Sequence, residues 1–292
     1  MKPILREIKR EDIDDALWNS CVAKYGEGRP YPYTWYLDAL GKWKGLVLGD
    51  YEMIFPLPYH QKYVYQKRIY QPFLSQCFGP IGDPSLSGRR VEFLDYIKAE
   101  WSNSQFFFPA DTGADITQVN VTKRVNQVIN LDGNADTMRS GYTRTRRSQV
   151  RHNTPNVKIT VGSDIETFLK SYKDAEFPKT KPMLKQWDLF TRILNACKEH
   201  NSLEIIKIED LEGSLLTTAA FVVTESRVVN LIGASSAAGR QHRANAIKID
   251  HMITRHCEQK QVFDFFGSNI PGVNTFNKQF GAVEEGYIEV LV

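Results

Sequence analysis

Apolar and polar positions along this chain switch between a period of two and a period near 3.6, and the switches lay out its elements. An apolar run over residues 4–8 predicts a strand, and residues 12–25 predict a helix on which Ile13, Leu17 and Cys21 recur at helical spacing. A turn-rich aromatic segment, GEGRPYPYTWY, leads into a second helix over 34–40. From residue 42 to 76, β-branched, aromatic and turn residues alternate as in a run of antiparallel strands, with Gly49-Asp50 marking a hairpin turn. A helix over 89–101 and short strands over 105–108 and 125–131 complete a first mixed α/β set.

The second half uses the same grammar. Helices are predicted over 165–176 and 181–200, and strands over 203–208, 214–223 and 228–234. A helix over 243–259 follows, whose Ala246, Ile249, Met252, Ile253, His256 and Cys257 form one apolar stripe suited to packing on a sheet. VFDFFG reads as a short buried strand. SNIPGVNTFNKQFGA then supplies a Pro-Gly start, a helical stretch over 273–280 and a glycine stop at Gly281. EEGYIEVLV closes the chain as a strand, Tyr287, Glu289 and Leu291 alternating against Ile288, Val290 and Val292. The order of elements suggests two copies of one fold, although no sequence repeat aligns.

Composition marks where the halves meet. Residues 137–163 contain no carboxylate, while Arg139, Arg144, Arg146, Arg147, Arg151 and Lys158 accumulate there. The connection is therefore placed at 132–142, with domains 1–136 and 137–292. At 292 residues, 42% apolar and 24% charged, the chain is long enough for two such α/β domains with mixed α+β sheets. A net charge of +3, from 37 basic and 34 acidic side chains, makes no global appeal to nucleic acid or anionic lipid, so a basic partner site must be local.

Cys21, Cys77, Cys197 and Cys257 are far apart and form no CxxC pair, which fits a reduced, cytoplasmic setting. The N-terminal residues lack an apolar core of the signal-peptide kind, and no uncharged run approaches the roughly 18 residues of a membrane span. HExxH, GxSxG, GxxxxGK[ST] and GxGxxG are absent, and His251 and His256 lie off a common helical face, so metal-dependent, serine-hydrolase, P-loop and dinucleotide readings fall together and no metal is expected.

The residues 263–268, FDFFGS, and the stretch from Pro271 to Gly281 resemble the C-terminal region of the FemABX-like branch of the GNAT superfamily. The basic TRTRRSQVRH and the aromatic segment near Tyr31 to Trp35 add to the resemblance. It implies two tandem GNAT-like domains of the acyl-CoA N-acyltransferase fold. It also implies one of two activities: N-acyl transfer from acyl-CoA to a small-molecule or peptide amine, or aminoacyl-tRNA-dependent peptidyl transfer onto a cell-wall precursor. A catalytically silent GNAT-fold binding module is a third reading, since the chain departs from the family in two places. The family commonly puts Lys directly after the first Phe of its final helix, whereas here Asn277 follows Phe276 and Lys278 comes one later. Of the GNAT donor pattern, Arg or Gln with two spaced glycines, Arg240 is kept, but Arg243 and Asn245 stand where small residues are expected.

Acyl transfer needs a polarised carbonyl, an unprotonated amine and a route for protonating the leaving group. In a GNAT-like domain a splayed strand offers backbone N–H groups to the acyl chain, and the following helix N-terminus offers N–H groups and a positive dipole to phosphate. Here that assigns donor binding to Leu231, Gly233, Ala234, Ser235, Gly239, Arg240, Gln241, His242 and Arg243, unless SSAAGRQHR is a solvated loop. Asp264 and Ser268, at the end of the FDFFGS strand, are candidates for acid–base work, with Asp264 alternatively a buried carboxylate that ties neighbouring groups together. Lys278 is the candidate for oxyanion stabilisation. Tyr31, Tyr33 and Trp35 would wall an acceptor pocket or simply pack, and Phe276 would contact substrate, while Arg144, Arg146, Arg147 and Arg151 would bind phosphates of CoA, of a nucleotide-linked precursor or of a tRNA acceptor end unless they only keep a solvent-facing helix soluble.

Overall fold

The computed structural model describes residues 4–61, 67–101, 104–110, 120–175, 186–259, 261–267 and 269–292. Its contacts divide the chain into two compact units, Met1–Val125 with Glu285–Val292, and Asn126–Glu284. The border thus differs from the 136/137 boundary read from composition. The loss of carboxylates marks the start of a basic helix, whereas the border falls inside a strand, β7 (Asn120–Asn130), which changes no composition.

In the first unit, β1 (Leu5–Lys9), β2 (Trp43–Leu48), β3 (Met53–Gln61) and β4 (Lys67–Ile69) pair antiparallel in that order, with β5 (Ile81–Gly82) also on β3. The helices are α1 (Asp15–Tyr25), α2 (Thr34–Leu40) and α3 (Arg90–Glu100). Asp14 starts α1 by accepting hydrogen bonds from the Ala16 and Leu17 amides at 2.9 and 3.0 Å. The helical period was legible but its phase was not: Leu17 is 41% exposed, and Trp18, Cys21 and Val22 face inward. Trp18 decides the phase, because its ring meets Trp43 edge-on at 5.1 Å and buries more surface than a leucine would.

The aromatic segment packs on itself. Tyr31 is fully buried against Tyr36 at 5.7 Å between ring centroids, and Tyr33 and Trp35, half-buried, stack on each other at 5.9 Å.

In the second unit the strands run in the order β7, β12 (Val262–Asp264), β11 (Arg227–Ser235), β10 (Leu215–Val223), β9 (Leu203–Asp210), β8 (Val157–Gly162). Pairing is antiparallel except between β11 and β12. The helices are α4 (Ala135–Ser140), α5 (Arg144–Asn153), α6 (Ile165–Asp174), α7 (Trp187–Glu199), α8 (Ala237–Gln241), α9 (Ala244–His256) and α10 (Pro271–Lys278). The predicted start of a helix at 181 lies outside the described residues.

The core of this unit gathers Ile206, Ile208, Ala219, Phe221, Val228 and Phe263 from the sheet with Ile247, Ile249, Met252 and Ile253 from α9. The stripe predicted on α9 is buried apart from Cys257, which is intermediate, but Lys248 and Asp250 are buried as well, so this helix is covered nearly all round.

The closing strand β13 (Val283–Leu291) returns to the first unit and pairs antiparallel with β6 (Gln105–Pro109). Its predicted alternation is absent: Tyr287, Ile288, Glu289 and Val290 are all buried. A strand covered on both faces has no solvent side to alternate toward. Glu289 is accommodated by hydrogen bonds from Arg124 and Gln105.

Candidate functional site

The site is built where the one parallel pairing among the described residues of the second unit comes apart. β11 and β12 stay in register for Arg227↔Val262, Val228↔Phe263 and Val229↔Asp264 only. β12 then ends, while β11 continues to Ser235 with β10 on its other side, so among the described residues no strand pairs with the edge of β11 over 230–235. A bulge sharpens the divergence. Val222 pairs with Val229 but Ala220 with Ile232, so β11 spends an extra residue around Asn230 and Leu231. The Asn230 Oδ1 is buried there without a hydrogen-bond partner. Backbone groups on such an edge must be satisfied by water or by a ligand.

Asp264 is the pin that fixes the divergence. It is 0% exposed, and its carboxylate accepts from Arg227 at 2.7 Å, from the Asn126 amide at 2.8 Å and from the Phe266 backbone at 2.8 Å. Asn126 in turn accepts from the Gly267 amide at 3.0 Å. The network holds the chain leaving β12 in a turn with positive φ at Phe266 (55°) and Gly267 (111°). Asp264 is therefore corrected from an acid–base group to a buried anchor, because no substrate reaches a carboxylate so enclosed and so fully paired. Ser268 lies outside the described residues. Lys278 is exposed and pairs with Glu284 at 2.9 Å, and it is not among the residues lining the cavity described next.

At its far end β11 passes into a cavity of about 420 Å³ lined by Arg146, Gln149, Ser235, Gly239, Arg240, Arg243, Asn245, Ala246, Phe276 and Gln279. Of the predicted donor and substrate residues this brings together Ser235, Gly239, Arg240, Arg243 and Phe276. Leu231 and Ala234 are buried in the strand, and Gln241 and His242 are exposed away from the lining.

Each wall has a local cause. Ser236 caps α8 by accepting from the Gly239 amide at 3.0 Å. Gly239 permits the closest approach in the turn: a Cβ there would lie 1.9 Å from the Leu216 carbonyl oxygen. Gly239→Ala should therefore destabilise the protein by about 2–3 kcal/mol and lower its melting temperature, since backbone rather than a pliable side chain would have to move. A melting curve within a degree of the parent would contradict this packing. Arg240 donates to the Ser235 carbonyl at 3.1 Å. Arg243, immediately before α9, has φ of 55° and ψ of 28°, the left-handed conformation a glycine adopts most easily, and α9 receives no side-chain cap.

Of the four arginines of the basic stretch, Arg146 is the one that lines the cavity. Arg147 is exposed and donates to the Ser140 carbonyl at 2.7 Å, so it closes the end of α4 and does not reach the cavity. Arg146, one position earlier on α5, points inward beside Val150 and is 4% exposed. Its guanidinium lies 4.3 Å from the Phe276 ring and 4.7 Å from the Phe280 ring, and it donates to Gln149 at 2.9 Å and to Gln279. Its Nε is buried with no hydrogen-bond partner. Burial, then the positive charge of Arg243, push its pKa down to about 10, against a smaller raising effect of Tyr142, so it stays charged at neutral pH. The lining thus holds the guanidiniums of Arg146, Arg240 and Arg243 and no carboxylate. Such a lining favours an anion, and guanidinium forks suit phosphate oxygens.

Among the described residues no cluster of three or more His, Cys, Asp or Glu could hold a metal, and no helix is long and apolar enough to cross a membrane. No protein-family model and no curated protein matches the sequence. Solved structures do. A crystal structure of FemX aligns with a TM-score of 0.73 at 14% identity, over 98% of this chain and 97% of that one. L-PGS from Bacillus licheniformis aligns at 0.60 and 13% identity, over 95% and 91%. A tandem GNAT protein from the clavulanic acid biosynthesis pathway aligns at 0.54 and 9%, over 99% and 98%. At such identities the likeness speaks for fold and leaves the chemistry to the site. The chain has the FemABX-like tandem GNAT fold.

Proposed function

We propose that this protein is an N-acyltransferase that takes an acyl group from acyl-CoA and delivers it to a small-molecule or peptide amine. The observation that carries the reading is the carboxylate-free cavity of Arg146, Arg240 and Arg243, set at the start of α9 and continuous through Ser235 with the open edge of β11. Phosphates of the donor would sit among the guanidiniums, where the positive end of the α9 dipole adds to their field. The amide-bearing arm would lie along β11 and exchange main-chain hydrogen bonds with residues 230–235, bringing the acyl carbonyl onto the open edge of that strand. There the amine attacks the carbonyl carbon, and the thiolate of CoA leaves.

One observation favours a second donor, aminoacyl-tRNA: Arg144, Arg147 and Arg151 present further positive charge on the exposed face of α5. A polyanion would use them, whereas a single CoA would not.

Melting temperature measured with acetyl-CoA, longer acyl-CoAs, free CoA and alanyl-tRNA separates the two readings. Acetyl-CoA and CoA should raise it, since a ligand bound only by the folded state stabilises that state. Arg240→Ala should abolish the rise and Arg147→Ala should leave it intact. No rise with any CoA species near millimolar concentration, together with a rise with alanyl-tRNA, would transfer the assignment to the second donor.

A further inference from the structure

Among the described residues of the second unit, one buried lysine has no charged or hydrogen-bonding partner. Lys248 lies on α9, one turn beyond Asn245 and Ala246 of the cavity wall, and is 5% exposed. It makes no hydrogen bond or ion pair with any described residue, while its neighbour Asp250 is engaged by Arg139 at 3.0 and 2.8 Å. Its ammonium rests beside Gly233 on the open-edged stretch of β11, 3.3 Å from where a Cβ of that residue would be. Only glycine leaves room there, since the same Cβ would also lie 2.8 Å from Ala219 Cβ and 2.9 Å from the Thr218 carbonyl oxygen. Gly233 is two residues from Ser235, hence about 7 Å along the strand from the anion-binding cavity.

An unpaired buried ammonium is costly, and folds retain one where a ligand completes it. Burial alone pushes Lys248 down to about 8, with no neighbouring charge contributing.

Building on the acyltransferase reading, we propose that Lys248 is a catalytic residue, the cation that holds the acyl carbonyl oxygen of the donor while the amine attacks. In that step the neutral amine nitrogen forms a bond to the carbonyl carbon and the C=O π pair moves onto oxygen, where the Lys248 ammonium stabilises it. Collapse restores C=O and breaks the bond from carbon to the leaving sulfur of CoA, or to the leaving ribose oxygen if the donor is aminoacyl-tRNA. The proton released by the attacking nitrogen ends on the leaving atom, and Lys248 is protonated before and after.

The test uses the full chain and its Lys248→Met and Lys248→Arg variants, acetyl-CoA as donor and hydroxylamine as a small surrogate amine. Folding is checked by melting curves, and donor binding by calorimetry. Lys248→Met should bind acetyl-CoA within about twofold of the parent but lose about 10²–10³-fold in kcat for acetohydroxamate formation, the loss typical of removing one oxyanion donor. Lys248→Arg should recover part of it. Unchanged kcat in Lys248→Met, or a change confined to KM or to donor binding, overturns the proposal. If the parent binds no acetyl-CoA, the donor reading is what fails. The same proteins are then assayed with alanyl-tRNA: loss of alanyl transfer in Lys248→Met with tRNA binding retained upholds the role of Lys248, and unchanged transfer overturns it. A parent inert with both donors overturns both assignments.

Discussion

Asp264→Ala should cost about 3–5 kcal/mol of stability, the range for removing one partner of a buried, hydrogen-bonded ion pair. Arg227 is 2% exposed, so the variant would take the carboxylate away from a buried guanidinium and from the Asn126 and Phe266 donors at once. In urea the midpoint should fall far below that of the parent, and whatever protein stays folded should have lost the turn at Phe266 and Gly267 that opens β11 from β12. Arg227→Met combined with Asp264→Leu should recover much but not all of the loss. The double change removes the buried charge but still deprives the Asn126 and Phe266 donors of the carboxylate they share. Asp264→Ala unfolding within about 1 kcal/mol of the parent would mean that this pair holds nothing.

Lys248→Met should act in the opposite direction. A lysine whose pKa is about 8 in the folded chain and 10.5 when exposed is penalised as long as it is charged in the folded state. Below pH 8 both states carry the proton and the folded state bears the full penalty, about 3 kcal/mol at 1.36 kcal/mol per pH unit. Between pH 8 and 10.5 the unfolded state binds more proton than the folded state, so stability rises with pH across that window and the penalty is gone above it. The Met variant, with no charge to bury, should therefore be more stable than the parent by about 3 kcal/mol at pH 7. That advantage should close as pH is raised through the window in parallel urea titrations. A variant equally or less stable at pH 7 would show that the ammonium is well solvated in the folded chain. Together with the kinetic loss, a more stable Met variant would place Lys248 among residues kept for function at the expense of stability.

Much of the fold could be read from periodicity. The element sequence of the second half, the stripe on α9 and the FDFFGS strand all came from spacing, and spacing survives folding because it depends on local geometry. What spacing does not carry is phase and depth. On α1 the period admitted both Leu17 and Trp18, and only the cross-sheet partner Trp43 chose between them. On α5 the sequence offered four arginines with equal claims. The inward one, Arg146, is selected by Phe276 and Phe280, more than a hundred residues further along.

Lys248 was invisible for the same reason. A lysine two positions after Ala246 reads as the solvent side of a helix until a second surface is found to cover it. Asp264 was legible as an alternative, since a carboxylate inside an apolar VFDFF run must be either matched or costly, and its match, Arg227, sits on the adjoining strand.

The open edge of β11 has a further consequence for how this protein could change over time. Recognition by peptide N–H and C=O groups is indifferent to which side chains the strand carries, so substitutions along 230–235 can drift while the hydrogen-bonding groups on that edge stay where they are. Alanine scanning would pass over such a surface. Sequence comparison would too, consistent with a fold shared with FemX at 14% identity. The positions free of that latitude are those fixing the edge from outside: Asp264 with Arg227 at its base, Gly233 where the lysine presses in, and Gly239 where the strand meets the next helix.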